Sequence, residues 1–154
     1  MKVKYKTTLF ALSFFACLLL ACVRWLSLRT VEILAVHENG NHSYILVKKF
    51  PFTDKGRINW WLENKDMLKN KHEAPQPDTD GFFTVVFWDF GDGYKEEGKY
   101  DRFCFEDMKT PKNCIEKNKV FTVSYGRNMG LSFTTNNKIY RMKENGQIVK
   151  EVAD

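Results

Sequence analysis

The sequence predicts an α+β protein in which an N-terminal transmembrane helix precedes a mainly antiparallel sheet packed by one long helix. Three observations support this prediction. Residues 7–23 contain no charged side chain, residues 54–71 repeat apolar side chains at helical spacing, and short β-rich runs separated by turn residues fill much of the remaining chain. A chain of 154 residues has room for an anchor and one domain, so we expect two parts, 1–29 and 30–154.

The excess positive charge of the protein belongs to its first 29 residues. The whole chain has 24 basic and 19 acidic side chains, which gives a formal net charge of +5. Residues 1–29 hold five basic side chains and no acidic one, so residues 30–154 hold 19 of each sign. A balanced domain has no surplus of positive charge with which to bind phosphates, and nucleic acid is therefore excluded as an expected partner.

The uncharged segment 7–23 predicts a membrane anchor. Its 17 residues lie at the lower limit for crossing a bilayer, and the apolar pattern continues after it. Lys2, Lys4 and Lys6 precede the segment, and such a basic head favours an N-terminus in the cytoplasm. Trp25 is suited to the headgroup region at the other end. We therefore expect a single-pass protein whose C-terminal domain lies outside the cytoplasm.

Two other fates of this segment stay open. Residues 19–22, Leu-Leu-Ala-Cys, resemble a lipobox, in which Cys22 would carry the lipid of a lipoprotein. The chain after Cys22 continues apolar instead of starting a polar tether, which speaks against a lipoprotein. Cleavage by the ordinary signal peptidase requires small residues before the cut, and Leu19 is large for that position. A retained anchor is therefore favoured over a lipid anchor, and a lipid anchor over a cleaved signal peptide.

Cys104 and Cys114 predict a disulfide bond. Cys17 and Cys22 belong to the anchor, so the domain has only this pair, and an even pair in an oxidising compartment is typical of a disulfide. Closing the polar loop 105–113 would stabilise the fold by about 3 kcal/mol on the chain-entropy model. A metal site is the alternative, but two cysteines without a neighbouring histidine do not supply four ligands.

The first elements after the anchor are a predicted hairpin and a predicted helix. Runs 31–36 and 44–50 are β-rich, and Asn39-Gly40 between them is a turn signal. A helix then begins at Thr53 or Asp54, either of which can cap it, and runs to about residue 71.

This helix carries apolar side chains on more than one face. Ile58, Trp61 and Leu68 share one face, whereas Trp60 and Met67 lie roughly opposite. A surface helix normally leaves its second face polar. We therefore predict a partner-binding patch that includes Trp60 and Met67. The alternatives are that this second face covers the other side of the sheet or lies near the membrane.

Residues 82–90, FFTVVFWDF, form the strongest strand signal in the chain. Both alternating faces are mostly apolar, which is typical of a central strand covered on both sides. The following Gly91-Asp92-Gly93 predicts a turn, and we prefer this to a calcium loop because the required glutamate is not in place. Weaker strands are predicted at 100–105, 120–125, 131–135, 138–142 and 147–152, with hairpin turns at 136–137 and 145–146.

The sequence offers no recognisable catalytic set. His37 and His42 flank the first predicted turn, and we interpret them as solvated turn residues, not as metal ligands. The acidic pairs Glu96-Glu97 and Glu106-Asp107 lie in polar stretches typical of solvated loops. A serine nucleophile motif and a Cys-His arrangement are not visible. We therefore predict no enzymatic activity, no catalytic residue, no metal ligand and no cofactor.

Several segments resemble a family of enterobacterial putative membrane proteins of unknown function, and the resemblance covers nearly the whole chain. The two most specific stretches are Phe-Pro-Phe-Thr-Asp-Lys-Gly at 50–56 and Phe-Trp-Asp-Phe-Gly-Asp-Gly-Tyr at 87–94. The others lie at 28–33, 35–37, 58–62 and 100–105. The resemblance implies an inner-membrane or envelope location. Together with the basic head and the cysteine pair, we expect a C-terminal domain in the periplasm, with a lipoprotein as the alternative. It implies no activity, cofactor or catalytic residue.

These observations favour a membrane-anchored binding protein that contacts another protein. A specific version is an immunity protein that neutralises a toxin delivered into the periplasm. A structural or accessory envelope protein is the second hypothesis. The third is a hydrolase, for which a pocket would have to gather His37 or His42 with Asp89 or Asp92.

Overall fold

Two helices and nine strands make up most of residues 2–152, the part of the chain that a computed structural model describes. The chain divides into two compact units, Met1–Thr30 and Val31–Asp154. The first unit contains helix α1 (Lys2–Ser27). Residues Lys2–Leu26 of this helix are long and apolar enough to cross a membrane, and none of the span is buried within the protein. Large apolar side chains of this helix are exposed, for example Phe10 at 78 %.

The second unit is built on a seven-stranded sheet and a separate two-stranded sheet. The strands are β1 (Glu32–Asn39), β2 (His42–Lys48), β3 (Phe83–Asp89), β4 (Arg102–Cys104), β5 (Cys114–Glu116), β6 (Lys119–Gly126), β7 (Gly130–Thr135), β8 (Lys138–Met142) and β9 (Ile148–Lys150). The large sheet has the order β1-β2-β3-β6-β7-β8-β9, and β4 pairs with β5. Every neighbouring pair is antiparallel except β2 and β3. The predicted α+β class and its mainly antiparallel sheet are confirmed.

Helix α2 (Asp54–His72) connects the two parallel strands, because a parallel pair needs a crossover that returns the chain to the same end of the sheet. The Oγ1 atom of Thr53 caps the helix by accepting a hydrogen bond from the backbone N–H of Gly56 at 3.0 Å. A Cβ at Gly56 would lie 2.7 Å from that Oγ1, so the cap requires glycine there. Glu73 caps the C-terminal end of the helix, and its φ of +54° is left-handed.

The large sheet is covered on both faces, which confirms the prediction that strand β3 is central. α2 covers one face, where the fully buried side chains are Ile45, Val47, Leu68, Ala74, Val85, Phe87, Val123 and Phe133, with Phe121 nearly so. The other face carries a smaller cluster made of Leu46, Val86, Trp88, Phe105 and Ile115. The last two of these residues come from the segment around β4 and β5, which we call the cap (residues 94–116).

Two boundaries differ from the predicted ones, and they change where His37 lies. β1 continues to Asn39 and β2 begins at His42, so the hairpin turn is tight and His37 lies inside a strand. The predicted end of β1 at residue 36 was wrong. The polar residues 37–39 continue the strand, because the cap covers one of its faces there. β5 was not predicted, since three residues carry too little pattern to be recognised. The turns at 136–137 and 145–146 are confirmed by the pairs Thr135↔Lys138 and Met142↔Ile148.

Candidate functional site

The cap is held together by the predicted disulfide. Cys104 and Cys114 are bonded to each other and are directly paired across β4 and β5. Lys95 adds a short third edge by exchanging two backbone hydrogen bonds with Cys114, at 2.7 and 3.0 Å. The loop 105–113 therefore starts and ends on a small, cross-linked sheet. This support can hold the side chains of the loop in fixed positions.

His37 joins this loop to the edge strand β1. Its Nδ1 atom lies 2.7 Å from Oδ2 of Asp107, and its Nε2 atom lies 2.8 Å from the hydroxyl of Tyr94. Its ring stacks on Phe105 with a centroid distance of 3.9 Å. The carboxylate can only accept, so Nδ1 carries the proton and donates to Asp107, while Nε2 accepts from the Tyr94 hydroxyl in the neutral imidazole.

The interpretation of His37 as a solvated turn residue was wrong. Only 7 % of the residue is exposed, because β1 extends past it and the cap covers it. Asp107 lies in a loop and is 45 % exposed, as expected of a solvated loop charge, and it also bonds His37 over a separation of 70 residues. Burial raises the pKa of Tyr94, and the negative charge of Asp107 raises it further, so this phenol stays protonated as a hydrogen-bond donor.

A groove of about 430 Å³ lies between the β1–β2 hairpin and the cap. Its lining residues are His37, Glu38, Asn39, Tyr44, Phe103, Cys104, Phe105, Glu106 and Asp107. Three of them are acidic, four have aromatic rings, and none of these described lining residues is lysine or arginine. We call this feature the His37 groove.

Glu38 lines the groove, but its carboxylate is bonded to Ser43, which lies with Ile45 and Val47 on the α2 side of β2. Ser43 is fully buried and donates a hydrogen bond from Oγ to Oε2 of Glu38 at 2.8 Å. The Oε1 atom is buried and has no hydrogen-bond partner among the described residues. Burial raises the pKa of Glu38 above its usual value, with the Ser43 hydrogen bond and the charge of Lys69 acting in the opposite direction.

The predicted patch residues Trp60 and Met67 are partly buried and pack against the α2-side core. The Trp60 ring lies 5.3 Å from that of Phe50 and 5.7 Å from that of Phe87, between centroids. Both residues therefore contribute to the fold, and the binding patch stays a prediction. Cys22 is exposed on α1 as a free thiol, so its position allows the predicted lipidation without testing it.

The residues named for a hydrolase pocket are not brought together. His42 is exposed and bonds Asn41, Asp89 accepts from Asn118, and Asp92 pairs with Lys95 at 3.6 Å. The strand-ending turn after Asp89 is confirmed, with Gly91 at a φ of +51°. Within residues 2–152, we find no group of three or more His, Cys, Asp or Glu side chains that could hold a metal ion.

Comparison with known families finds one that matches residues 2–152, described as Enterobacterial putative membrane protein (DUF943). No curated protein matches the chain. No solved structure matches it either.

Proposed function

Because the chain belongs to the family of enterobacterial putative membrane proteins, we propose that it is a single-pass inner-membrane protein whose periplasmic domain binds another protein without catalysing a reaction. The observation that carries the binding role is the His37 groove, a concave surface fixed by a cross-linked cap on a sheet that is packed on both faces.

The location is supported by the anchor and by the domain, taken separately. Three lysines precede the apolar part of α1 and favour a cytoplasmic N-terminus. Cys104 and Cys114 form a disulfide, and disulfides persist in the periplasm but are rare in the cytosol. A domain exported through the inner membrane satisfies both observations.

The proposal of binding without catalysis is supported by how His37 is used. Both of its ring nitrogens are engaged, one by Asp107 and the other by Tyr94. A general base needs a nitrogen within hydrogen-bond reach of its substrate. In this arrangement the histidine holds the cap, and the groove beside it presents carboxylates and rings for contact.

Topology is tested by thiol alkylation in intact spheroplasts with a membrane-impermeant maleimide. We expect Cys104 and Cys114 to stay unlabelled until a reductant is added outside, and then to be labelled. The matched control is the Cys104→Ser/Cys114→Ser variant, which should give no domain signal in either condition. Labelling of both thiols only after the membrane is lysed would place the domain in the cytoplasm and refute the proposed location.

The state of the anchor is tested by the mass of the intact protein extracted from membranes. A retained anchor predicts the mass of the whole chain, with or without its initiator methionine. A lipoprotein predicts a chain that begins at Cys22 and carries added acyl mass, which the Cys22→Ser variant would abolish. A mass that begins after residue 21 would replace the transmembrane anchor with the lipid one.

Protein binding at the groove is tested by a photo-crosslinking amino acid introduced at Glu106 in living cells. Position Asp66, exposed on α2, serves as the matched control. We expect a discrete crosslinked protein from position 106 that is absent from position 66. Equal crosslinking from both positions, or none from either, would count against a binding role for this groove.

The immunity version of this function predicts a specific phenotype. Cells that lack the protein should be killed by neighbouring kin that deliver the cognate toxin, and the crosslinked partner should appear only during such contact. A partner captured in cells that meet no competitor would favour an accessory envelope protein instead. Unchanged survival of the deletion strain in competition would remove immunity while leaving the binding role in place.

A further inference from the structure

We infer that the outer edge of β1 binds an extended segment of the partner protein, which adds a strand to the seven-stranded sheet. The inference rests on the proposed binding function and goes beyond it by naming the form of the segment that is bound. It is supported by the backbone groups that β1 leaves open, by the composition of this edge and by the position of the His37 groove.

Strand β1 forms one edge of the large sheet and pairs only with β2. Because the N–H and C=O groups of one strand residue point to the same side, alternate residues of β2 bond to its two neighbours. Val47 bonds on the β3 side, since its carbonyl accepts from the N–H of Phe90 directly after that strand. Leu46, and Tyr44 two positions before it, therefore bond to β1.

This alternation decides which backbone groups of β1 are open. The partners of those two β2 residues are Ala35 and His37, so the N–H and C=O groups of these two bond to β2. Val36 and Glu38 alternate with them and turn their backbone groups outward. Apart from the pairing with β2, residues 35–39 make no backbone hydrogen bond within the described part of the chain. A strand placed beside β1 would satisfy the outward groups.

The edge lacks most of the features that usually protect an edge strand from further pairing. Residues 32–39, EILAVHEN, contain no lysine, arginine or proline. The register is irregular only between Ile33 and Ala35, so the ladder from residue 35 to residue 39 is regular. At the opposite edge of the same sheet, β9 is only three residues long and ends with Lys150. The β1 edge is therefore the one suited to receiving another strand.

Both faces of β1 are covered, which leaves its edge as the accessible side. Val36 packs against the α2-side core, and Ala35 packs against the cluster under the cap. His37 is only 7 % exposed. A row of main-chain donors and acceptors is matched by a ligand with the same repeat, and an extended polypeptide has that repeat. A helix uses its own backbone groups internally and does not offer them.

The His37 groove gives the bound segment a place for its side chains. The lining includes residues 37–39 of β1 and residues 103–107 of the cap. A strand added beside β1 would run along this groove and turn every second side chain toward the cap. Main-chain hydrogen bonds then hold the segment, and the groove selects among its alternate side chains, which is the usual division of roles in strand addition.

A second copy of this chain fits the edge less well than a different protein. Two β1 strands joined in one antiparallel sheet are related by a two-fold axis normal to that sheet, so both caps would lie side by side on the same face. Glu106 is exposed and the Asp107 side chain is 45 % exposed. The acids of the two caps would then face each other, and like charges at such a junction are unfavourable.

The first test uses the full-length protein in neutral detergent micelles and two synthetic peptides of alternating valine and threonine. One peptide is N-methylated on every second residue, which leaves a single edge able to form a ladder. The other is N-methylated on every residue and has no donor. We expect the first peptide to slow amide hydrogen exchange at Val36 and Glu38 at least about tenfold, and the second to leave it unchanged. The amides of Ala35 and His37, which already bond to β2, are the internal control.

The second test removes one outward donor in living cells that carry the crosslinking amino acid at Glu106. Glu38→Pro deletes an N–H that β2 does not use, and an edge strand tolerates proline at such a position. Glu38→Ala removes the same side chain, with its bond to Ser43, and keeps the N–H. We expect the partner crosslink to be at least about fivefold weaker in Glu38→Pro than in Glu38→Ala.

Lys150→Pro is the matched control on the opposite edge. The N–H of Glu151 donates to the carbonyl of Ile139 in β8, so the N–H of the preceding Lys150 points outward in the same way. This variant should keep the crosslink of the natural protein. An equal loss in Lys150→Pro and Glu38→Pro would mean that proline acts through the fold and not through the β1 edge, and would count against the inference.

Three other results would overturn the inference. One is exchange at Val36 and Glu38 that neither peptide slows, or that both slow equally. Another is an equally strong crosslink in Glu38→Pro and Glu38→Ala, which leaves the binding function in place but not its strand addition. The third is a crosslinked product made of two copies of this chain. Absence of any crosslink in the parent protein removes the binding function itself. The peptide test needs no variant, so it decides the matter even if Glu38→Pro does not fold.

Discussion

The two faces of the large sheet are covered in different ways. On one face, the 19-residue helix α2 satisfies its own backbone hydrogen bonds and presents apolar side chains to β2, β3, β6 and β7. On the other, two three-residue strands cover a smaller apolar cluster and are held by a disulfide and by His37. A long helix can cover a sheet through apolar burial alone, whereas a small cap needs specific bonds to stay in place.

Each face leaves a groove at its margin, and different elements border the two grooves. The α2 face has one of about 440 Å³ whose lining includes Asp54, Ile58 and Tyr140, and the cap leaves the His37 groove. The disulfide and the hydrogen bonds of His37 hold the cap in place. The cap is not a continuous apolar layer, so the His37 groove beside it stays open. The polar link between Tyr140 and Asp54 is the closest counterpart on the α2 face, and both residues line the groove there.

The largest expected loss of stability comes from a substitution at the centre of the α2 face. Phe87 is fully buried and contacts the rings of Phe50, Trp60, Trp61 and Phe121. Phe87→Ala should lower the free energy of unfolding by about 3–5 kcal/mol through lost burial and a residual cavity. Denaturant unfolding of the full-length protein in micelles, followed by tryptophan fluorescence, measures it. Phe52→Ala, at a side chain 68 % exposed, is the control and should cost less than about 0.5 kcal/mol.

The second prediction releases the cap while leaving α2 in place. The Cys104→Ser/Cys114→Ser variant should lose about 3 kcal/mol, because the unfolded chain is no longer constrained by the closed loop. Amide hydrogen exchange should accelerate in residues 94–116 far more than in α2. Cys17→Ser in the anchor is the control and should change neither measurement. Uniform acceleration across the domain would mean that the cap and the α2 face unfold as one unit.

The α2 face could be predicted from the sequence because its signals are local. The helix runs from Asp54 to His72 as the cap at Thr53 and the apolar spacing indicate, and the double-sided pattern of residues 82–90 identifies β3 as central. Apolar periodicity and capping act over a few residues, so they are readable without knowing the fold. The same holds for the turns around β8.

The candidate site could be predicted only in part. The two cysteines of the cap follow from counting, but the groove depends on pairs such as His37 with Asp107 and His37 with Tyr94, which lie 70 and 57 residues apart. Such pairs leave no local pattern. One signal was available once β1 is extended to Asn39. His37 then lies on the same face of the strand as Ala35 and opposite Val36, and this face is turned toward the cap.

The third prediction removes the bonds of His37 and keeps its shape. His37→Phe preserves an aromatic ring next to Phe105 but cannot donate to Asp107 or accept from Tyr94. We expect a loss of about 2 kcal/mol, because the half-buried Tyr94 hydroxyl is left without its acceptor. Denaturant unfolding measures the loss. His42→Phe, at the exposed histidine, is the control, and equal costs for both variants would contradict the proposed role of His37 in holding the cap.

The smallest expected effect concerns the polar link of the α2 face. The Tyr140 hydroxyl donates to Oδ2 of Asp54 at 2.7 Å, and this hydrogen bond is the main cause that lowers the pKa of Asp54. Tyr140→Phe should cost about 1 kcal/mol near pH 7. Tyr125→Phe, at a tyrosine 39 % exposed, is the control and should cost nothing measurable.

The sign of the pH dependence identifies this link. The folded pKa of Asp54 lies below its ordinary value of 3.8, so during acidification the unfolded chain takes up the proton first. The stabilisation is therefore complete above that ordinary value and is lost as the pH falls through the lower folded value. The natural protein and Tyr140→Phe should differ at neutral pH and converge in strong acid. If the difference in free energy of unfolding stayed constant down to low pH, the tyrosine would act through packing and not through the carboxylate. The stability of the α2 face would then not depend on the hydrogen bond between Tyr140 and Asp54.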